Sequence, residues 1–153
     1  MKELNHHLIL MAEDDVDDQL LMQEAFTECG VNEQLRFVAD GEELLDYLMR
    51  RGEYLGAMAA PRPGLILLDL NMPRKDGREA LKEIRENPDL RRVPIVVFTT
   101  SRADTDIRKA YELGANSFIT KPAAFDALVT TVNKMVGYWF SLVELPSAKP
   151  TTV

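Results

Sequence analysis

Residues 65–77 read LILLDLNMPRKDG, and this stretch decides the fold. Four aliphatic residues in succession are typical of a strand that is buried on both faces of a parallel sheet. The strand ends at Asp69, and the polar segment of residues 71–77, which contains Pro73, predicts a turn. The first candidate functional group is therefore a carboxylate at the end of a buried strand.

The same pattern recurs on both sides of this stretch. Short apolar runs occupy residues 8–12, 35–39, 95–98 and 117–119, and each is followed by a segment with helical period, the last from Phe125 to about Leu142. Strands that alternate with helices predict an α/β fold with both faces of the sheet covered. We predict a flavodoxin-like, doubly wound, five-stranded parallel sheet in the order 2-1-3-4-5, with an extended C-terminal helix. Ligands of such sheets bind beyond the carboxyl ends of the first and third strands.

Composition and charge limit the class of protein. With 153 residues, 46% hydrophobic and 28% charged, the chain fits one globular domain, expected over residues 1–146 with a core of about 7–137 and a loose tail at 147–153. The net charge of -7 argues against a nucleic-acid partner. Cys29 is the only cysteine, and no apolar stretch has the length of a membrane span, so we expect a cytoplasmic protein.

Polar residues follow four of the five predicted strands. Because the carboxyl ends of parallel strands meet at one edge of a sheet, we expect these residues to converge there. They are Glu13, Asp14 and Asp15 after the first strand, Asp69 after the third, Thr99, Thr100 and Ser101 after the fourth, and Thr120, Lys121 and Pro122 after the fifth.

The acids after the first strand have two interpretations. Five carboxylates crowd residues 13–18, and taken alone they could simply cap the first helix and favour its dipole. Asp69 favours a different interpretation, because carboxylates facing one another at a buried edge require a cation. Magnesium suits this set, since it prefers oxygen ligands and no Cys or His lies in these segments.

A carboxylate next to such a cation can itself accept a phosphoryl group, provided that nearby donors neutralise the charge on the phosphoryl oxygens. Lys121 offers an ammonium group and Thr99 a hydroxyl, although either residue alone is an ordinary solvated lysine or strand-edge threonine. The Lys121–Pro122 bond could be cis, which would direct the lysine towards the site.

These residues together resemble the receiver domain of response regulators in two-component systems, the CheY-like domain, over residues 7 to 137. The resemblance rests on the Glu13–Asp14 pair, on Asp69 within LDLNMP, on Thr99 and on Lys121–Pro122. It implies that Asp69 is the phosphoacceptor. It also implies that Asp14, Asp69 and the backbone carbonyl of Asn71 hold Mg²⁺ directly, that Glu13 acts through water, and that Lys121 and Thr99 bind phosphoryl oxygens.

The resemblance also implies how such a domain signals. Phe118 would be the aromatic switch residue, although a plain core aromatic is the alternative, and Asn71 and Ser101 hold positions that tune hydrolysis of the phosphoryl group. The phosphoryl donor would be a phosphohistidine of a sensor histidine kinase. The domain would catalyse only its own phosphorylation and dephosphorylation, and its output would pass through protein contacts at helix four and strand five.

Two segments depart from a minimal receiver domain. Residues 50–63 form a long connection, either functional or mobile, and we expect it to be mobile. The last helix ends in Tyr138, Trp139, Phe140 and Leu142, which either form an interface or pack on the protein's own sheet. Both departures resemble regulators that pair with bacterial phytochrome kinases, and they imply a possible homodimer through helix four, strand five and the C-terminal extension.

Three other classes share part of these features. A haloacid dehalogenase-like phosphatase also uses a strand-end aspartate with magnesium, but it requires a second aspartate at the position of Asn71. A flavodoxin requires a phosphate-binding loop after the first strand, where the carboxylates would repel a phosphate. A receiver fold that serves only as a docking module, without phosphorylation, remains the third alternative.

Overall fold

The computed structural model describes residues 8–56 and 60–146. Its sheet contains five parallel strands in the order β2-β1-β3-β4-β5, which confirms the predicted fold class and strand order. The strands are β1 (Ile9–Ala12), β2 (Leu35–Val38), β3 (Leu65–Leu68), β4 (Ile95–Thr99) and β5 (Ser117–Thr120). The helices are α1 (Val16–Glu28), α2 (Gly41–Met49), α3 (Gly77–Glu86), α4 (Asp104–Glu112) and α5 (Phe125–Gly137).

The helices cover the sheet on both faces, and the alternation of side chains along each strand divides the core into two clusters. Leu10 and Ala12 of β1 point into the cluster that includes α2 and α3. Ile9 and Met11 point to the other face, into the cluster that includes α1 and α5. Every residue of β1, β3 and β4 is buried, whereas the edge strands β2 and β5 are partly exposed. This is why the three central strands are unbroken apolar runs in the sequence.

The register of the strands brings the polar residues to one edge. Ala12 pairs with Leu68, so Glu13 and Asp69 each follow the last paired residue of neighbouring strands, and the Asp69 N–H donates to the Ala12 carbonyl at 3.2 Å. On the other side, the Lys121 N–H donates to the Thr99 carbonyl at 2.7 Å. The residues that follow β1, β3, β4 and β5 therefore lie along one rim of the sheet, the edge formed by the carboxyl ends of its strands.

The C-terminal helix has the predicted extent but not one uniform geometry. After α5 the chain continues as a π-helical turn, Tyr138–Leu142, which is closed by a hydrogen bond of 3.1 Å from the Val143 N–H to the Tyr138 carbonyl. This wider turn allows Trp139, Phe140 and Leu145 all to pack against the core cluster of α1 and α5. Tyr138 and Leu142 remain 49% and 72% exposed. The aromatic end thus packs on the protein's own core in part and faces solvent in part.

The long connection after α2 is tied to that helix where it is described. The Tyr47 hydroxyl donates to the Pro61 carbonyl at 2.7 Å, and the Tyr54 hydroxyl donates to Glu43 Oε2 at 2.5 Å. Residues 57–59 and the tail 147–153 lie outside the described residues, so the expectations of a mobile connection and a loose tail stay predictions. Within the described ranges, no helix has both the length and the apolarity that crossing a bilayer requires.

Gly77, at the start of α3, lies in close contact with the residues that follow β3. A Cβ at Gly77 would overlap the carbonyl oxygen of Asp69 and lie 2.9 Å from the Leu70 Cα. We expect Gly77→Ala to lower the free energy of unfolding by about 1–3 kcal/mol, since backbone atoms must move to make room. Urea denaturation measures this change. Gly137→Ala is the matched control, because no atom lies within 4 Å of its Cβ position, and we expect it to be neutral or slightly stabilising. Equal effects of the two substitutions would contradict the close approach.

Candidate functional site

Asp69 occupies the centre of the polar rim. It is 8% exposed, and its carboxylate accepts hydrogen bonds from three directions. The Thr99 hydroxyl donates to Oδ1 at 2.9 Å, and the Asn71 N–H donates to the same oxygen at 3.2 Å. The Lys121 ammonium donates to Oδ2 at 3.3 Å. Asp69 is therefore a nearly buried carboxylate with a fixed orientation.

Lys121 neutralises more than one acid. Its Nζ lies 3.5 Å from Asp18 Oδ2 and also forms an ion pair with Glu13, besides its contact with Asp69. Burial by itself lowers the pKa of Lys121, but the hydrogen bond to Glu13 and the charges of Asp69, Glu13 and Asp18 outweigh it, so the net pKa is raised. Lys121 is thus protonated at neutral pH and supplies a fixed positive charge at the site.

The expectation of a cis bond before Pro122 is wrong, because no peptide bond of the described residues is cis. The lysine reaches the site through the register of β5 beside β4 instead. The hydrogen bond from the Lys121 N–H to the Thr99 carbonyl holds the lysine backbone level with the end of β4.

The acidic run after β1 separates into residues with different surroundings. Glu13 is 1% exposed and Asp14 is exposed, and both lie beside Asp69. Asp15 is the N-cap of α1, since its carboxylate accepts from the N–H groups of Asp17 and Asp18 at 2.8 and 3.2 Å. The helix-capping interpretation is therefore confirmed for Asp15, and the interpretation as a cation site stays a prediction for Glu13 and Asp14.

The buried carboxyl group of Glu13 has a raised pKa. Burial raises the pKa of its carboxyl to about 7, although the hydrogen bonds from Lys121 and from the Asp15 N–H lower it and the charge of Asp69 raises it further. Burial is the largest cause of this raised pKa. The acids around Lys121 outnumber its single ammonium group, so the site has an excess of negative charge when all of them are ionised. A bound cation would relieve this excess.

The donor set fits a divalent metal ion. Glu13, Asp14 and Asp69 each offer a carboxylate oxygen, and these oxygens lie within 4.8 Å of one another. Oxygen ligands of an octahedral Mg²⁺ at 2.0–2.1 Å lie roughly 3–4 Å apart, so a small closure of the three side chains would suffice. Asp14 is exposed, which leaves room for the water ligands that magnesium retains. Asn71, whose carbonyl is the remaining predicted ligand, is an exposed residue of the loop after β3, and its role stays a prediction.

The other predicted residues lie around this centre. Phe118 is half-buried and packs against the core cluster of α2 and α3, so its roles as switch residue and as core aromatic both remain open. The Ser101 hydroxyl donates to Asp106 Oδ2 at 2.6 Å, and the Ser101 carbonyl accepts from the Thr120 hydroxyl at 3.2 Å. Ser101 thus connects the start of α4 to the end of β5, at the rim but not in contact with Asp69.

Sequence reasoning missed some contacts of this site. Asp18 was visible in the acidic run, but its contact with Lys121 depends on how the first turn of α1 faces β5. Gln19 carried no signal, and its side-chain amide donates to the Glu13 carbonyl at 2.6 Å. Asp40 is buried at the start of α2 and pairs with Arg74, which lies on the loop after Asp69. The available signal was Asp40 before Gly41, and it predicts only a turn.

The family model of the response regulator receiver domain matches residues 9–133. The chain belongs to this family. The receiver domain is 42% identical to the response regulator Rcp1 of Synechocystis over 141 residues, which cover 92% of this chain and 94% of Rcp1. The crystal structure of the phosphorylated cyanobacterial phytochrome response regulator RcpA has a TM-score of 0.85 at 44% identity, and the match covers 93% of this chain and 99% of RcpA.

A further solved structure, the Mn²⁺-bound form of Rcp1, matches this receiver domain with a TM-score of 0.81 at 41% identity and covers 92% of this chain and 99% of that chain. The resemblance to receiver domains inferred from the sequence is therefore confirmed, as is the narrower resemblance to phytochrome response regulators.

Metal binding by the receiver domain can be tested by comparing two acids of residues 13–18, one inside the candidate metal site and one outside it. A ligand that binds only the folded state at 100 times its Kd stabilises it by about 2.7 kcal/mol, so Mg²⁺ should raise the melting temperature of the wild type. Asp14→Asn should abolish most of this shift, because it removes a charged ligand oxygen of the set. Asp17→Asn is the control, since it removes an exposed acid of the same run that lies outside the set. Thermal melts with MgCl2 and with EDTA measure the shifts, and equal loss in both variants would indicate general screening rather than a site.

Proposed function

We propose that this receiver domain accepts a phosphoryl group on Asp69 from a phosphohistidine of a sensor histidine kinase, with Mg²⁺ as cofactor. The observation that carries the proposal is the Asp69 carboxylate, which is fixed between the Thr99 hydroxyl and the Lys121 ammonium and lies beside Glu13 and Asp14. An aspartate that merely ends a strand has no reason to be surrounded by two hydrogen-bond donors and two further acids.

The proposed reaction is an in-line transfer. An oxygen of Asp69 attacks the phosphorus atom, the O–P bond forms, and the P–N bond to the imidazole of the kinase breaks. When bound, magnesium would neutralise part of the charge on the phosphoryl oxygens. The protein contributes position, because the carboxylate already has one orientation and needs no reorganisation before the attack.

The two donors connect the reaction to a change of conformation. Thr99 Oγ1 and Lys121 Nζ bind different oxygens of the Asp69 carboxylate. Phosphorylation adds a charge of roughly -1.5 to -2 and three strong acceptor oxygens, so both donors gain better partners than the carboxylate. Movement of Thr99 would change β4 and its connection to α4, and Phe118 on the adjacent β5 would respond as the switch residue.

Two relatives support the finer parts of this proposal. RcpA is a phytochrome response regulator seen in a phosphorylated form, and Rcp1 has a Mn²⁺-bound form. We therefore propose a bacterial phytochrome as the sensor kinase and a cytoplasmic location.

The output would be protein contact through α4, β5 and the C-terminal extension, including a homodimer through Tyr138 and Leu142, which are both exposed. The domain would act as a catalyst only of its own phosphorylation and dephosphorylation.

The decisive experiment uses a small-molecule phosphodonor, such as an acyl phosphate or a phosphoramidate, in the presence of Mg²⁺. We expect the intact mass of the wild type to increase by one phosphoryl group, because Asp69 is the nucleophile, and the mass of Asp69→Asn to stay unchanged. Asp17→Asn serves as the control and should be phosphorylated like the wild type, since Asp17 is an exposed residue of the first turn of α1.

The same experiment separates the alternatives. Continuous release of inorganic phosphate at a rate that depends on Asp69 would favour a phosphatase. The absence of any mass increase in the wild type, together with normal binding of Mg²⁺, would favour a docking module that is not phosphorylated.

A further inference from the structure

The loop between β3 and α3 is tied to the start of α2 at two adjacent points. The Arg74 guanidinium forms an ion pair with Asp40, which is 1% exposed. Next to it, the Gly41 N–H donates to the Lys75 carbonyl at 3.0 Å, and a Cβ at Gly41 would overlap that oxygen. The two backbones therefore approach as closely as a glycine allows. We call these two contacts the Arg74–Asp40 clamp.

The Asp40 side of the clamp is held by α2. Asp40 is the N-cap of this helix, and its Oδ1 accepts from the Glu43 N–H at 2.8 Å, which leaves Oδ2 for Arg74. The Glu43 carboxylate is bound in turn by the Ala39 N–H at 2.7 Å and by the Tyr54 hydroxyl. The carboxylate that Arg74 contacts is thus fixed to the first turn of α2, which is itself held by the end of β2 and by the connection after α2.

The Arg74 side of the clamp is strained. Arg74 has a φ of 64°, in the left-handed region that favours glycine, and the Lys75 N–H donates back to the Pro73 carbonyl at 2.7 Å across it. The Arg74 side chain is 70% exposed, so burial in the core does not impose this conformation. Strained backbone persists where surrounding contacts determine it. The contacts present here are the ion pair to Asp40, the backbone bond to Gly41 and the ion pairs of the adjacent Lys75 with Glu42 and Glu83.

The clamp acts on the segment next to the acceptor. The base of the loop is closed by the Gly77 N–H, which donates to the Leu70 carbonyl at 3.0 Å, and by the Asn71 N–H on Asp69 Oδ1. Without Arg74 on Asp40, the tip of the loop would keep the backbone bond to Gly41 and the ion pair of 3.7 Å from Lys75 to Glu42 as its contacts with α2. The Asn71 N–H belongs to the base, whereas its carbonyl is on the peptide that leads through Met72 and Pro73 to the tip, so a shift of the tip would reach this carbonyl through two residues of backbone.

We propose that the Arg74–Asp40 clamp is a positioning device that holds the Asn71 carbonyl beside Asp69 and thereby sets the affinity of the receiver domain for its divalent metal ion. This inference rests on the proposed function, in which that carbonyl is a metal ligand. Arg74 contacts neither the metal site nor the reacting atoms, and it acts through the loop. The small octahedral Mg²⁺ tolerates little displacement of a ligand, which makes its affinity sensitive to the loop.

The test compares metal-free and metal-loaded protein in the same variants. Amide hydrogen exchange of Gly41 and Lys75, followed by NMR without metal, reports on the clamp itself. Titration with Mn²⁺, followed by electron paramagnetic resonance, gives the Kd. We expect Arg74→Ala to speed exchange at both amides and to raise the Kd on the order of tenfold, as for groups that orient a metal ligand. Arg74→Lys should recover part of both effects, because it restores the charge but not the guanidinium.

A matched control and two further variants separate positioning from general stability. Arg51→Ala removes the exposed ion pair to Asp46 near the other end of α2 and should change neither readout. Arg74→Gly removes the same guanidinium but relieves the positive φ, so it should melt above Arg74→Ala and yet bind Mn²⁺ as weakly. Asp40→Asn keeps a side-chain acceptor for the Glu43 N–H and should weaken Mn²⁺ binding like Arg74→Ala.

The outcomes distinguish this inference from the proposed function. If the wild type binds no Mn²⁺ and accepts no phosphoryl group, the proposed function fails, and the inference fails with it. If the wild type binds Mn²⁺ but Arg74→Ala keeps its Kd, or if the Gly41 and Lys75 amides exchange at the wild-type rate, the inference alone is overturned. A Kd that follows the melting temperature across all variants would also overturn it, since a purely structural role predicts that relation.

Discussion

The ion pairs of Lys121 at the carboxyl edge of the sheet are the interaction on which the rest of the site depends. One ammonium group faces Glu13, Asp18 and Asp69, and at least two of these acids are almost completely buried. Burial raises the pKa of Glu13. Three carboxylates that face one ammonium group leave a formal excess of negative charge when all of them are ionised. The site is therefore held together by a positive charge that does not fully neutralise its acids, and this imbalance favours a divalent cation.

The fold maintains this excess of negative charge because the strand ends that carry the acids are rigid. Every residue of β1, β3 and β4 is buried, and helices cover both faces of the sheet. A slip of one residue in the register would reverse the two faces of a strand and expose half of the core, so the core specifies the register. The register in turn determines that Asp69 leaves β3 beside Glu13 and that Thr99 leaves β4 beside Lys121. The free energy of hydrophobic burial thus holds like charges close together.

The loop after Asp69 is held in position in a different way from the strand ends. Leu70 and Met72 anchor its first residues in the core, and its tip is positioned by polar contacts, which include the ion pair between Arg74 and Asp40 and the backbone bond at Gly41. Such polar contacts are individually weak, and the Arg74 side chain is largely exposed, so they can form and break without unfolding the sheet. In the proposed function this division keeps the acceptor fixed while the polar contacts of the loop beside it can change.

The sequence by itself determined the fold class, the strand order and the rim on which the polar residues lie, because apolar runs and helical periods report directly which residues are buried. It also identified Asp69, Thr99 and Lys121 as neighbours, since each follows a strand that must end at that rim. Only the tertiary structure decided which acid of the run is buried, which caps α1 and which meets Lys121. It also decided the trans geometry before Pro122, the π-helical turn after α5 and the pairing of Asp40 with Arg74. The physical reason is that these features depend on where a backbone leaves a strand or helix and on contacts between residues far apart in the chain, and no local periodicity encodes either.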